Sequence, residues 1–275
     1  MKISEYRKHI TKQLSSQTTS PQLDADLLLM HLLKKSRAQL YCILNETISA
    51  TTQQQCNELI KQRLKGKPIA YLVGLQSFWT MDLTVTEDTL IPRPETECLV
   101  EWILHHIPDH DHFLAADLGT GTGAIAIALA LEKKSWKIDA TDQSPEALVI
   151  AKRNAEKHGA KNIAFYVGDW CEALQKKNYN VIVSNPPYIA DNDTHLKQLQ
   201  FEPQDALVSG KEGLDAIQKI VSQAKNFLAS GGYLIIEHGF DQAEKVVALF
   251  ENAGFIEVKN HRDLSDVPRF VTGKL

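Results

Sequence analysis

Asn185-Pro186-Pro187-Tyr188 directly follows an apolar run at 181–184, and its residue types suit one kind of chemistry. An amide or aromatic amine nitrogen is a poor nucleophile because its lone pair is spread into a π-system. Two oxygen acceptors side by side, the Asn185 side chain and the Pro186 backbone carbonyl, can bind both of its hydrogens. Pro186 and Pro187 stiffen the loop and add no competing backbone donors. Held in this way, the nitrogen pyramidalises and turns its lone pair toward an electrophile, while Tyr188 packs on the planar group and sets its tilt. Alignment of reacting atoms supplies roughly 7–11 kcal/mol of a barrier in favourable cases. The proton leaves late, to water, so no dedicated base is assigned. Glu237-His238, ending a later apolar run, reads as a hydrogen-bonding element of a strand end.

The electrophile needs its own site, and Asp117-Leu118-Gly119-Thr120-Gly121-Thr122-Gly123 offers one. Glycines at alternate positions let the backbone turn tightly and approach a ligand without Cβ interference. The small-apolar helix from Ala124 onward presents free N–H groups and a partial positive charge behind them. Asp142 lies 19 residues after Gly123, where a carboxylate can accept from both ribose hydroxyls or cap the helix at Ser144-Pro145; one residue can do both. Asp169-Trp170 follows a third run, and there a carboxylate can take an adenine amine while the Trp170 ring borders the base. A dinucleotide enzyme would place its third glycine one position beyond Gly123 and would have no use for Asn185-Pro186-Pro187-Tyr188. Those two differences turn the reading to S-adenosylmethionine, with S-adenosylhomocysteine as product.

The elements that must position these groups follow from the pattern of apolar residues. Short runs at 113–118, 137–141, 163–167, 181–184 and 233–237 alternate with helical stretches, which implies a mainly parallel sheet with helices on both faces. A late strand at 267–272 is expected to be antiparallel. In such a sheet ligands sit beyond the carboxyl ends of the strands, and Asp117, Asp142, Asp169 and Asn185 all fall there. Upstream, the residues to about position 65 read as helices. Ser20 is placed as an N-cap with Pro21 at the first helical position, and Leu23, Leu27 and Met30 form an apolar face. Another helix is expected over 52–64, stopped by Gly66 and Pro68. Between 78 and 87, Trp79, Met81, Leu83 and Val85 alternate with polar residues, as in a half-buried strand or hairpin. Pro92-Arg93-Pro94 marks a junction, with Pro94 able to open the next helix. The division is therefore a helical domain at 1–75, a hairpin linker at 76–92 and an α/β domain at 93–275.

Composition narrows the field further. The formal net charge is −4 and the charges are mixed, with only 61–67 locally basic, as at a solvated helix end. That weighs against a substrate gripped through phosphates, so no direct nucleic-acid binding is expected. No apolar run reaches the roughly 20 residues that span a bilayer, and the first residues lack the apolar core of a secretion signal. The 4 cysteines are scattered without a paired spacing, and the 10 histidines form no ligand motif, so neither disulfide nor metal is expected. Scattered reduced thiols are the default of a cytoplasmic protein.

With these residues in view, Asp117–Gly123 and Asn185–Tyr188 resemble the seven-stranded, Rossmann-like methyltransferases that act on exocyclic or amide nitrogen. Thr89-Leu90-Ile91-Pro92-Arg93-Pro94-Glu95-Thr96-Glu97, with Tyr71-Leu72-Val73-Gly74, is similar to the peptide-chain release factor N(5)-glutamine methyltransferases, the HemK/PrmC family. Phe201-Glu202-Pro203, Gly213-Leu214-Asp215 and Glu237-His238-Gly239 match as well, whereas 189–200 lacks the Val-Arg pair common before the Glu-Pro. The resemblance implies a mostly parallel sheet with one antiparallel strand and a small N-terminal helical domain that docks the protein substrate. It implies Gly119 to Gly123, Asp142 and Trp170 as cofactor contacts, and Asn185, Pro186, Pro187 and Tyr188 around a glutamine, with Asn185 also near the cofactor. The implied substrate is the glutamine of the Gly-Gly-Gln loop of bacterial release factors. Three alternatives stand beside it. A ribosomal-protein glutamine methyltransferase would usually carry Pro-Arg-Ser-Pro in place of Pro92-Arg93-Pro94-Glu95's pattern. An adenine or guanine amine methyltransferase would bring a basic recognition domain, and a silent cofactor sensor would not need intact acceptors.

Overall fold

The computed structural model describes residues 1–108 and 112–275, and these fall into two units, Met1–Leu75 and Gln76–Leu275. The first is helical: α1 (Ile3–Leu14), α2 (Pro21–Leu33), α3 (Arg37–Cys42), α4 (Ala50–Leu64) and α5 (Ile69–Val73). Its core joins Tyr6, Ile10 and Leu14 of α1 to Leu28 and Leu29 of α2, Leu40 of α3, and Cys56 and Ile60 of α4.

Helix α2 turns a different face inward from the one its spacing predicts. Leu23 is 41% exposed, and Leu27 and Met30 are only partly buried, whereas Asp24 and Asp26 are 2% and 0% exposed. The reason is electrostatic. Arg63 donates to Asp24 at 2.7 Å, and the Arg7 guanidinium grips Asp26, so two carboxylates that read as surface residues are buried as ion pairs. Pro21 does open α2, but the Ser20 side chain makes no cap hydrogen bond. Helix α4 starts two positions earlier than expected, because the Ser49 hydroxyl accepts from the Thr52 N–H at 3.0 Å.

A hairpin of β1 (Leu75–Phe78) and β2 (Met81–Thr84) starts at the last residue of the first unit and leads into the second. The alternation at 78–85 does not run through one strand. Trp79 occupies the turn with φ 56° and hands its indole N–H to Glu132 Oε1 at 2.8 Å, while Phe78, Met81 and Leu83 enter the core. After a 3-10 turn at Pro94–Thr96 and α6 (Glu97–His106), strands and helices alternate: β3 (Leu114–Leu118), α7 (Ala124–Glu132), β4 (Lys137–Asp142), α8 (Pro145–His158), β5 (Ile163–Val167) and β6 (Tyr179–Ser184). They continue with α9 (Asp215–Ala224), β7 (Leu228–Glu237), α10 (Ala243–Asn252), β8 (Ile256–Arg262) and β9 (Pro268–Lys274).

The seven strands lie in the order β5-β4-β3-β6-β7-β9-β8, all parallel except β9, which runs antiparallel to both neighbours. Period-two alternation assigns the two faces. Ala115, Val181, Val183 and Ile235 pack in one layer with residues of α6 and α7, while Ala116, Ile182, Leu234 and Ile236 pack in the other with residues of α9 and α10. β3 is paired by β4 on one side and β6 on the other, so the chain reverses its winding there and opens a crevice at the strand ends. Among the described residues no helix is long and apolar enough to cross a membrane.

Candidate active site

Beyond the carboxyl ends of β3, β4 and β6 lies a cavity of about 600 Å³, lined by Gly119, Gly121, Asp142, Gly168, Asp169, Trp170, Asn185 and Pro187 among others. A second cavity of about 290 Å³ is lined by Arg93, Pro186, Tyr188, Ile189 and Leu207, and shares Leu90, Asn185, Pro187 and Ala206 with the first. Asn185 thus borders a space large enough for a nucleoside-sized ligand and one fit for a single side chain.

The glycine loop divides its labour in a way that the motif does not reveal. Gly119 and Gly121, with φ 68° and 55°, line the crevice. Thr120, Thr122 and Gly123 hold the loop from behind. Thr120 donates its hydroxyl to buried Asp117 at 2.6 Å, the Thr122 carbonyl accepts from Asn154 at 3.0 Å, and a Cβ on Gly123 would meet Ile127 of the interior at 2.8 Å. Asp117 also accepts from the Ala126 N–H, and burial pushes its carboxyl up to about 7 against the pull of those two donors. Asn154 additionally clasps both backbone groups of Thr84, which ties the hairpin to the glycine loop.

Asp142 is not the cap of α8, since the Ser144 hydroxyl takes that place by accepting from the Ala147 N–H at 3.0 Å. Asp142 Oδ1 accepts from the Ser144 N–H at 2.9 Å and its Oδ2 from Gly121 at 2.8 Å, while the carboxylate still lines the crevice. Burial raises its pKa, opposed by those backbone donors. Trp170, at φ 45°, lays its ring against Gly119, where an added Cβ would sit 3.0 Å from the ring edge. Asp169 is less free than expected, because Lys219 of α9 pairs with its Oδ2. A carboxylate with one oxygen occupied keeps the other as an acceptor.

Gly121→Ala places a methyl where nothing else stands within 4 Å, so crowding is not the issue. The positive φ is. A left-handed non-glycine residue costs about 1–2 kcal/mol, and urea denaturation is expected to show that loss together with weaker binding in the crevice.

The acceptor loop is held from three directions. Gln242 is buried and its Nε2 donates to the Tyr188 carbonyl at 3.0 Å and to the Glu212 and Gly213 carbonyls at 3.1 and 3.3 Å. The Tyr188 hydroxyl donates to Glu237 Oε1 at 3.3 Å, while the residue lines the smaller cavity. Asn185 Nδ2 donates to Thr96 Oγ1 at 3.1 Å. Thr96 in turn donates to Glu237 Oε2 at 2.7 Å, and Glu237 is fully enclosed at the end of β7, where burial pushes its carboxyl up to about 7. Asn185 Oδ1 is buried with no hydrogen-bond partner. A buried acceptor left unpaired costs about 1–3 kcal/mol, so its position is one that a ligand would relieve.

A further buried carboxylate sets the rim. Glu202 accepts from the Ile91 N–H at 3.1 Å and pairs with Arg93, joining two motifs that lie far apart in sequence, and Leu90, next to Ile91, lines both cavities. Sequence reading left Thr96, Gln242 and this pair without roles. Glu237, read as a hydrogen-bonding element of a strand end, is one: it accepts from Thr96 and Tyr188, two of the loop's anchors. Only the arrangement of polar residues at strand ends marked Glu237 in advance.

Comparison with known proteins places this geometry among relatives. Residues 5–74 match the model described as the PrmC N-terminal domain, and 96–202 match the methyltransferase small domain. The release factor glutamine methyltransferase of Coxiella burnetii is 48% identical over 274 residues, covering 100% of this chain and 99% of the relative. That of Escherichia coli K12 is 41% identical over 276 residues, with 100% and 99% covered. A methyltransferase structure from Pyrococcus furiosus aligns with a TM-score of 0.55 at 17% identity, over 78% of this chain and 96% of that one, which bears on the fold.

Proposed function

The chain belongs to the release factor glutamine methyltransferase family, and on that premise we propose that it methylates the side-chain amide nitrogen of the glutamine in the Gly-Gly-Gln motif of bacterial release factors, in the cytoplasm, from S-adenosylmethionine. The carrying observation is Asn185: the residue lines both cavities, its Oδ1 is buried without a hydrogen-bond partner, and its Nδ2 donates to Thr96.

The larger cavity fits the methyl donor. Gly119 and Gly121 offer open backbone on one wall, and Asp142 keeps a free lone pair on each oxygen for ribose hydroxyls. Asp169 Oδ1 and the Trp170 ring border the place for the base. S-adenosylmethionine supplies, when bound, a methyl group made electrophilic by its sulfonium. In the smaller cavity Asn185 Oδ1 and the Pro186 carbonyl accept the two hydrogens of the substrate amide, Pro187 keeps their spacing, and Tyr188, braced by Glu237, walls the planar group. The hydrogens so held, the amide nitrogen loses conjugation and its lone pair points across Asn185 into the larger cavity. The unit Met1–Leu75 docks the release factor, with no role for nucleic acid or membrane.

Incubation with methyl-labelled donor and purified release factor is expected to label the Gly-Gly-Gln peptide alone. Equal labelling of a Gly-Gly-Ala variant, or of naked RNA, overturns the substrate assignment.

A further inference from the structure

We propose that Thr96 is a positioning residue for methyl transfer: its hydroxyl, committed as a donor to Glu237, dictates which end of the Asn185 amide faces the substrate. The inference rests on the function proposed above and assigns a role to two residues outside the acceptor loop.

The argument is one of hydrogen-bond polarity. An amide side chain has two faces of nearly equal shape, an acceptor oxygen and a donor NH2. Methylation of a substrate NH2 requires the oxygen to face it; the reverse orientation sets donor against donor. Proline and backbone geometry at 186 and 187 fix where the Asn185 side chain lies but not which way round its amide sits. A threonine hydroxyl has one proton and two lone pairs. Thr96 spends its proton on Glu237 Oε2 at 2.7 Å, so toward Asn185 it can only accept. Nδ2 accordingly faces Thr96 at 3.1 Å, and Oδ1 is left turned away, buried and unpaired.

Glu237 is suited to hold that direction. Its Oε1 meets the Tyr188 hydroxyl and its Oε2 meets Thr96, and the side chain is closed off from solvent. As a carboxylate it can only accept from both. With a proton on Oε1 it donates to the Tyr188 oxygen and still accepts from Thr96, whereas a proton on Oε2 would donate to Thr96 and reverse the relay, so its sense requires Oε2 to stay unprotonated. Thr96 is itself fixed, because its N–H donates to the Arg93 carbonyl at 3.1 Å in the 3-10 turn that opens α6. The chain Glu237 to Thr96 to Asn185 therefore converts a buried carboxylate at one strand end into an aimed acceptor at another.

Thr96→Val keeps the shape and removes the hydroxyl, and Thr96→Ala is the smaller hydroxyl-free variant. Each is expected to lower kcat for a release factor by at least about tenfold, the scale of one buried polar group left without its partner. The dissociation constant for S-adenosylmethionine should stay near wild type, the melting temperature should fall by a few degrees because Glu237 Oε2 and Asn185 Nδ2 lose a partner, and Thr96→Ser should restore most of the rate. Selective 15N labelling of asparagine adds a readout that a merely structural role would not move. One protected side-chain NH2 pair, identified by its loss in Asn185→Ala, should persist in Thr96→Ser and vanish or shift in Thr96→Val. Wild-type kcat and an unmoved NH2 pair in Thr96→Val, beside an inactive Asn185→Ala, would overturn the relay and leave the methyltransferase reading standing. Absence of transfer by the wild-type enzyme would overturn that reading, and the relay with it.

Discussion

Asn185→Ala is expected to lower kcat by about 100- to 1,000-fold, the scale for losing one preorganised polar contact at a reacting centre. The affinity for S-adenosylmethionine, read by calorimetry, should change little. The larger cavity keeps Gly119, Gly121, Asp142 and Trp170, none of which depends on the Asn185 side chain for a hydrogen bond. The substrate KM should rise less than kcat falls, because the acceptor matters most when the nitrogen is pyramidal and its N–H groups are most acidic. Stability should change little, since the variant removes a buried oxygen that has no partner but also the Nδ2–Thr96 hydrogen bond. Collapse of donor binding in Asn185→Ala would mean that the side chain builds the larger cavity instead of the smaller one.

Gly213→Ala should be the most destabilising single change near the site. Its φ is +71°, and an added Cβ would stand 2.1 Å from the Tyr188 carbonyl oxygen and 2.8 Å from Gln242 Nε2. Neither neighbour can yield cheaply. The carbonyl belongs to the rigid acceptor loop, and Gln242 serves three carbonyls from a buried position. Left-handed strain, a backbone clash and the broken Gln242 contacts together are expected to cost about 4 kcal/mol or more, at the upper end for point changes. Denaturant melts should show the loss. What folded protein remains should have a lower kcat, because moving Tyr188 moves Pro186 with it. A melting temperature and rate equal to wild type would show that the loop does not depend on this packing.

Much of this architecture can be read from residue order because burial leaves a period. Ala115 and Ala116, or Val181, Ile182 and Val183, alternate between two apolar layers, so their runs announce strands covered on both faces. The strand β8 left no such trace, since it lies at the sheet edge and carries Glu257, Lys259, Asn260 and Arg262. The buried face of α2 was hidden for another reason: its carboxylates are neutralised by Arg7 and Arg63 from other helices, which no local pattern can encode.

The site shows the same contrast. Gly119, Gly121, Asp142 and Asn185 stand at strand ends, and chemistry plus spacing was enough to gather them. The motif alone could not separate Gly119 and Gly121, which face the crevice, from Thr120, Thr122 and Gly123, which fasten the loop to Asp117, Asn154 and the core. Thr96 and Glu237 meet across a separation of 141 positions. Neither lies in a repeat or a charge pattern, and their meaning arises only when β6, β7 and the turn before α6 converge.

The most direct test of the central claim is a crystal structure with S-adenosylhomocysteine and a release factor whose Gly-Gly-Gln loop is intact. Both hydrogens of the glutamine amide should be taken up, one by Asn185 Oδ1 and one by the Pro186 carbonyl, at nitrogen–oxygen distances of about 2.9–3.0 Å, with the nitrogen directed at the sulfur. A glutamine seated elsewhere, or Asn185 rotated so that its own NH2 meets the substrate, would contradict it.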